Sequence, residues 1–309
     1  MSFLAIVDLG SNSTRFVIEE VTADGQVEEV LRQKQDTRLA EGMTQNAGYL
    51  QPAAIERVVT AVRGFYQIYQ KYPAIEVIGI ATAAVREALN KNDLLLPLYS
   101  EFGINVRVLT GDQEAYYDYL GTESTLALSD AWLLDTGGAS VELVGIEKQM
   151  AANFISLPFG AVNLAERFHL DVDGLLEQRN LDAAIDFIDQ KYAELPWLET
   201  DQLPIVLLGG ANRTLARLNR KRQGLPDEED FHGYHLSTSR VAELFNELCQ
   251  LTLQQRAECL GSEANRADII IGGLLPLMRL IEITNSKEVI FSSSGVREGI
   301  LQEYVLEQM

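Results

Sequence analysis

Hydrophobic residues along the chain fall into short runs of strand length, separated by stretches in which they recur with helical period. Two stretches read alike. Ala5-Ile6-Val7-Asp8-Leu9-Gly10-Ser11-Asn12-Ser13-Thr14-Arg15-Phe16-Val17-Ile18 and Trp132-Leu133-Leu134-Asp135-Thr136-Gly137-Gly138-Ala139-Ser140-Val141-Glu142-Leu143-Val144-Gly145 each run from an apolar strand ending in Asp, through a polar turn containing Gly, into a second apolar strand. Asp, Gly and Ser coincide at a constant offset, 135 − 8 = 127. Each stretch predicts a β-hairpin with a polar tip. Val77 to Ala83 and Ile205 to Ala211 repeat at nearly the same offset, each predicting a buried strand that enters a small-residue turn and then a helix. Between the strands, Ile55, Val58, Val62, Phe65 and Tyr69 recur every three or four residues after Pro52, the pattern of an amphipathic helix with proline near its start. Similar stripes occupy 161–169, 181–193, 238–251 and 265–283.

A strand hairpin followed by alternating helices and strands, twice over, predicts two duplicated α/β domains with a cleft between them. The boundary is expected near 121–130, giving domains 1–124 and 125–296, with a C-terminal helix at about 297–309 packing back on the first. The segment from Asn219 to His235, with Arg220-Lys221-Arg222 followed by Asp227-Glu228-Glu229-Asp230, reads as an exposed loop of mixed charge.

Charge changes the picture more than length does. Lys and Arg number 25 against 45 Asp and Glu, a formal net charge of −20, and such a surface repels nucleic acid and anionic membranes. If the ligand is itself an anion, attraction must come from a local basic cleft or a bound cation. The two cysteines, Cys249 and Cys259, stand in no CxxC arrangement and read as core thiols of a reducing compartment. The first residues lack a basic segment and a cleavage site, and the apolar stretch Ile269 to Met278 is short of the ~20 residues a spanning helix needs. A cytoplasmic protein is expected, with no nucleic-acid or membrane partner and a homodimer among the permitted assemblies.

Both hairpin tips are candidate phosphate cradles, because Gly and Ser let successive backbone N–H groups approach an anion closely. The candidates are Asn12 and Ser13 in the first tip and Gly137, Gly138, Ala139 and Ser140 in the second. Asp8 and Asp135 end their strands as turn caps or as ligands of a hard cation such as Mg²⁺, which Glu142 on the second hairpin would share. Thr110 and Gln113 fit a capping box. Glu114 follows, either as a favourable first-turn residue or as the base that orients an attacking water. Arg86, placed at the opening of a helix, and Arg15, just past the first tip, are each either surface arginines or phosphate ligands. His232 and His235 read as residues of a solvated loop.

These residues resemble the exopolyphosphatase and guanosine pentaphosphate phosphatase family. The resemblance rests on Asp8-Leu9-Gly10-Ser11-Asn12-Ser13, on Ala81 to Asn90, on Thr110-Gly111-Asp112-Gln113-Glu114-Ala115, and on Asp135 to Glu142; Leu157 to Val162, Arg266-Ala267-Asp268 and Gly295 to Gly299 extend it over nearly the whole chain. It implies two ribonuclease H-like domains of the actin, sugar kinase and Hsp70 ATPase superfold. It implies release of terminal orthophosphate from inorganic polyphosphate, or conversion of guanosine pentaphosphate. A kinase of the same superfold and a phosphate or nucleotide sensor that does not turn over are rival readings. By the resemblance Glu114 is the catalytic glutamate, Asp135 and Glu142 are the acidic pair tied to Mg²⁺ and catalysis, and Arg86, Gly137, Gly138 and Ser140 contact phosphate. A monovalent cation such as K⁺ is an allowed second ion. Ala139 stands where the family usually has a third Gly, and its methyl is expected to narrow the cradle. Val141 stands where Thr is common, and Gln113 replaces the first Glu of a usual pair. The extra C-terminal helical domains of longer members are not found, so the chain reads as a short, two-domain form.

Overall fold

A computed structural model describes residues 2–22, 25–225 and 231–308. The chain opens with a meander of β1 (Ser2–Leu9), β2 (Thr14–Val21) and β3 (Val27–Gln35), followed by α1 (Pro52–Tyr69) and β4 (Glu76–Ala81). Then come α2 (Ala83–Glu87), α3 (Asn92–Phe102), β5 (Val106–Val108) and α4 (Gly111–Glu123). Strand order is β3-β2-β1-β4-β5, antiparallel across the meander and parallel from β1 to β5. Central β1 is covered on both faces, which is why its sequence is a continuous apolar run from Leu4 to Val7 rather than an alternation.

The second half repeats the plan with β6 (Ala131–Thr136), β7 (Val141–Glu147), β8 (Met150–Leu157), α5 (Ala161–Phe168), α6 (Gln178–Ala193) and β9 (Ile205–Gly209). It continues through α7 (Gly210–Arg222), β10 (Tyr234–Ser237), α8 (Thr238–Cys249), α9 (Leu253–Leu260), a 3₁₀ turn at Gly261–Arg266, α10 (Ile270–Thr284), β11 (Glu288–Phe291) and α11 (Val296–Gln308). The order is β10-β11-β9-β6-β7-β8. Without the added edge strand β10, order and strand sense match the first sheet, β6 standing for β1 and β9 for β4. The molecule is thus a duplicated α/β fold.

Helix α4 lies between the two sheets. Its N-terminus is held by the capping box, Thr110 accepting from the Gln113 amide and Gln113 from the Thr110 amide. One side puts Tyr117 among Leu4, Ile6 and Ile80; the other puts Ala115 among Leu133, Val144 and Leu208. α11 leaves the second sheet and returns to the first, burying Ile300 and Tyr304 beside Tyr117. Truncating Ile300 to Ala would cost about 2–5 kcal/mol of this seam.

Several local expectations change. Asn219 to Arg222 form the end of α7, and Asn219 is fully buried, held by Tyr234 and Arg240. Phe231 is buried and Tyr234 begins an edge strand, so the loop is shorter than the charge pattern suggests; Asp227 to Asp230 lie outside the described residues. His232 is half-buried, its Nδ1 accepting from the Ser293 amide and its Nε2 lying 3.1 Å from the Thr125 carbonyl. Arg86 closes the five-residue α2 rather than opening a helix. The stripe at 265–283 becomes a 3₁₀ turn and then α10 from Ile270. Cys249 and Cys259 are free and half-buried. Among the described residues no helix is long and apolar enough to cross a membrane.

Candidate active site

The two hairpins meet tip to tip. In each, a strand-ending aspartate is followed by a four-residue tip closed by one backbone hydrogen bond, Gly10 N–H to Ser13 O at 3.2 Å and Gly137 N–H to Ser140 O at 3.0 Å. Register sets Asp8 opposite Arg15 and Asp135 opposite Glu142. Gly138 permits the contact between tips: a Cβ there would stand 2.9 Å from Ser11 Cβ and 3.3 Å from the Asn12 nitrogen. The N-terminus of α5 holds the second tip from behind. Ala161 and Val162 amides donate to the Gly137 and Gly138 carbonyls, and Asn163 Nδ2 donates to Ala139 O. Beside Asp135 the chain needs glycine again, since Gly209 has φ +89° and a Cβ would meet Asp135 Oδ1 at 2.6 Å.

One cavity runs between the halves, lined by both tips together with Asp8, Glu114 and Asp135. Glu114 is buried because α4 is wedged between the sheets. Arg86 Nη1 donates to Glu114 Oε2 at 2.7 Å, while its Nη2 donates to Ser156 Oγ at 3.2 Å, which in turn donates to Glu142 Oε1 at 2.7 Å. Burial pushes the Glu114 carboxyl up to about 7, opposed by Arg86 and reinforced by Asp135 and Asp8. Glu142 and Asp118 are driven well above the usual carboxylate range by burial and then by their acidic neighbours. Asp118, one helical turn beyond Glu114, is fully buried with no hydrogen bond to either oxygen among the described residues.

The cavity also has a basic lining. Arg15, Arg213, Arg266 and Arg297 line the same cavity. Arg213 is drawn down to about 9 by burial and then by the repulsion of Arg15, with Arg266 and Arg297 adding to it and Asp135 opposing. Neither Arg15 nor Arg213 forms a direct ion pair among the described residues. Arg266 pairs with Glu263 at 2.9 Å and Arg297 lies 4.0 Å from Asp8 and 3.7 Å from Glu298, so Arg15 and Arg213 are the two cavity guanidiniums that favour an added anion, within a chain whose net charge is −20.

The family model described as Ppx/GppA phosphatase family matches residues 17–308. The chain belongs to that family. The Ppx/GppA family member from Aquifex aeolicus has a solved structure that is 27% identical, covers 99% of this chain and 98% of its own, and superposes with a TM-score of 0.81. A solved exopolyphosphatase from Cytophaga hutchinsonii is 22% identical with a TM-score of 0.88, covering 99% of this chain and 98% of its own, which shows a shared fold. Among curated proteins, the bifunctional 3-dehydroquinate synthase/phosphatase of Fusobacterium nucleatum is 27% identical over 97% of this chain and 46% of its own length. The chain spans about half the length of that relative. The fold is therefore the one shared with the Aquifex aeolicus family member, two duplicated α/β halves about a cleft.

In this Ppx/GppA family member the sequence-predicted residues do not all stand at the same depth. Asp8, Asn12, Ser13, Glu114, Asp135, Gly137, Gly138 and Ser140 line the main cavity. Arg86 and Ala139 border a neighbouring cavity with Thr110, Ser156 and Pro158, so the Ala139 methyl is not part of the main lining. Glu142 lies behind the lining, grouped with Asp118 and Asp135 so that one carboxylate oxygen of each is within 4.8 Å of the others. Asp8 is not part of that group.

Buried, unpartnered carboxylate oxygens on Asp118 and Asp135 form a hard-oxygen donor set that fits a divalent cation such as Mg²⁺. Sequence reasoning missed Asp118, Ser156 and Arg213. Arg213 had a signal, because it lies at the hairpin offset from Arg86, 213 − 86 = 127. Asp118 had a weaker one, an acid one turn from Glu114 on a helix. Ser156, on an edge strand, had none.

Proposed function

We propose that this chain hydrolyses the terminal phosphoanhydride of inorganic polyphosphate in the cavity between the hairpins. The observation that carries the reading is one polar cavity lined by buried carboxylates and by four arginines together, with two touching Gly/Ser tips in its lining. The terminal phosphoryl group sits on the tips, where backbone N–H groups and Ser side chains supply donors. The remaining phosphates run along Arg15, Arg213, Arg266 and Arg297. Glu114, oriented by Arg86, accepts the proton of the attacking water; its oxygen bonds to the terminal phosphorus as the bridging P–O bond breaks, giving orthophosphate and a polymer shorter by one unit. Asp135 and Glu142 are the residues that would hold Mg²⁺, which when bound would offset charge on the phosphoryl oxygens.

Among the described residues that line the cavity none is aromatic, so no stacking surface for a guanine base is offered. That favours polyphosphate over guanosine pentaphosphate. Side-by-side orthophosphate release from long-chain polyphosphate and from guanosine pentaphosphate under Mg²⁺ decides the matter. Faster release from the nucleotide would replace the substrate, while turnover of ATP only with a small acceptor would make the chain a kinase. Tight binding of either polyanion with no release would make it a sensor. Glu114→Gln should lower release by about 10²–10⁴-fold, and an unchanged rate would remove Glu114 from the chemistry.

A further inference from the structure

Asp118 has no part in the reaction as described so far, yet it is a buried acid without an ion pair among the described residues. It is fully buried; the Val296 amide favours its charged form, but no side-chain donor or full-geometry hydrogen bond reaches either oxygen among the described residues. It does not stand in an empty corner. One of its oxygens lies within 4.8 Å of carboxylate oxygens of Asp135 and Glu142. The loop that leads into α11 closes over it, since a Cβ on Gly295 would stand 3.0 Å from Asp118 Oδ1. A buried carboxylate with at most one backbone amide near it, beside two further acids, is costly unless a positive charge joins it. No arginine or lysine forms an ion pair with it or with Glu142 among the described residues.

We propose that Asp118 is a direct ligand of a divalent cation, completing a three-carboxylate site with Asp135 and Glu142 between α4 and the second hairpin. The phosphatase reading enters only in the use to which that cation is put. Three carboxylate donors suit a hard ion of the Mg²⁺ or Mn²⁺ class better than a soft one. The site ties the cation to α4, whose previous turn carries Glu114, so ion and water-orienting carboxylate are held in register by four residues of one rigid helix. It also takes Asp8 out of the ligand set. Asp8 stands on the first hairpin, 4.0 Å from the Arg297 guanidinium and outside the three-acid group.

Binding of Mn²⁺ to the metal-free protein, followed by electron paramagnetic resonance without substrate, tests this directly. Asp118→Asn should weaken Mn²⁺ binding by at least about 10-fold, as should Glu142→Gln, while Asp8→Asn leaves the affinity little changed. Metal-free Asp118→Asn should also melt above the wild type, because it loses an uncompensated buried acid; a side chain kept for packing alone would give the opposite shift and normal affinity. If Asp118→Asn does not fold, Asp118→Ser removes the carboxylate with less bulk and the same affinity comparison decides. Normal Mn²⁺ affinity without the Asp118 carboxylate, alongside loss in Glu142→Gln, overturns the assignment and leaves the hydrolase reading standing. Tight Mn²⁺ binding that depends on Asp118, in a protein that releases no orthophosphate, keeps the site and removes the hydrolase reading instead.

Discussion

The first and second hairpins share a backbone and differ in sign. Both end an apolar strand on aspartate, both close a Gly/Ser tip with the same hydrogen bond, and both sit at the centre of a sheet of the same order. Across the ladder, however, Asp8 faces Arg15 and Asp135 faces Glu142. Burial raises the Asp8 carboxyl while Arg15 and Arg297 pull it back, so the first hairpin carries its own counter-charge. Glu142 forms no ion pair among the described residues; the Ser156 and Ser140 hydroxyls bond it, and Arg86 reaches it only across Ser156. Duplication thus gave one scaffold twice, with a basic residue at the cross-strand position of the first copy and an acidic one at that of the second.

The largest effect that can break this contrast is a paired removal of the two aspartates. Asp135→Asn should lower the rate of orthophosphate release at saturating polyphosphate by about 10²–10³-fold, the loss of a preorganised electrostatic group. Asp8→Asn should cost about 10-fold or less, because Asp8 lies outside the three-acid group and its loss removes no ligand of the proposed cation. Steady-state kinetics on both variants provide the check. Equal losses would mean that both hairpins do the same work and that the cross-strand residue is incidental.

The hairpins were legible in the sequence because a continuous apolar run stopped by aspartate, glycine and serine is a local signal that recurs at one offset. Glu114 was legible through the Thr110–Gln113 capping box, which fixed where its helix starts. What was not legible depends on tertiary placement. Asp118 is buried only because α4 has a sheet on either side, and a helix polar on a buried face looks, from sequence, like a solvated one. Arg266 and Arg297 reach the cavity from the turn before α10 and from α11, far apart in the chain. The Ala139 departure was visible, but that its methyl borders the neighbouring cavity rests on how α5 grips the tip from behind.

A smaller effect sharpens the same contrast through pH. In the metal-free fold, Glu114 titrates at about 7 against the ordinary 4.5 of its unfolded state, so between those values the folded chain holds more protons than the unfolded one. Its contribution to stability is present below pH 4.5 and is lost as pH rises towards about 7. Asp118, Asp135 and Glu142 shift in the same direction and add to the loss. A bound cation favours the ionised carboxylates and should reverse it. The melting temperature in chelator should therefore fall from pH 5 to 7.5, and the gap between Mg²⁺-loaded and metal-free protein should widen over the same interval. A gap independent of pH would contradict a cation seat in the second hairpin.

The smallest effect concerns the contact that makes two hairpins into one site. A Cβ on Gly138 would press on Ser11 Cβ at 2.9 Å and on Val162 Cγ2 at 3.3 Å, so it pushes against the other hairpin and against α5 at once. In Gly10, by contrast, the added atom would meet Ser13 O of its own tip at 2.8 Å. Gly138→Ala should therefore destabilise by about 1–3 kcal/mol, the usual cost of overpacking a tight contact, and should lower phosphate release by shifting one tip against the other. Gly10→Ala should distort the first cradle while leaving the second tip, and with it Mn²⁺ affinity, in place. Urea unfolding midpoints measured with Mn²⁺ titrations on both variants separate the cases. If Gly138→Ala is as stable and as active as the wild type, the tips do not need to touch, and the two hairpins are neighbours rather than halves of one cradle.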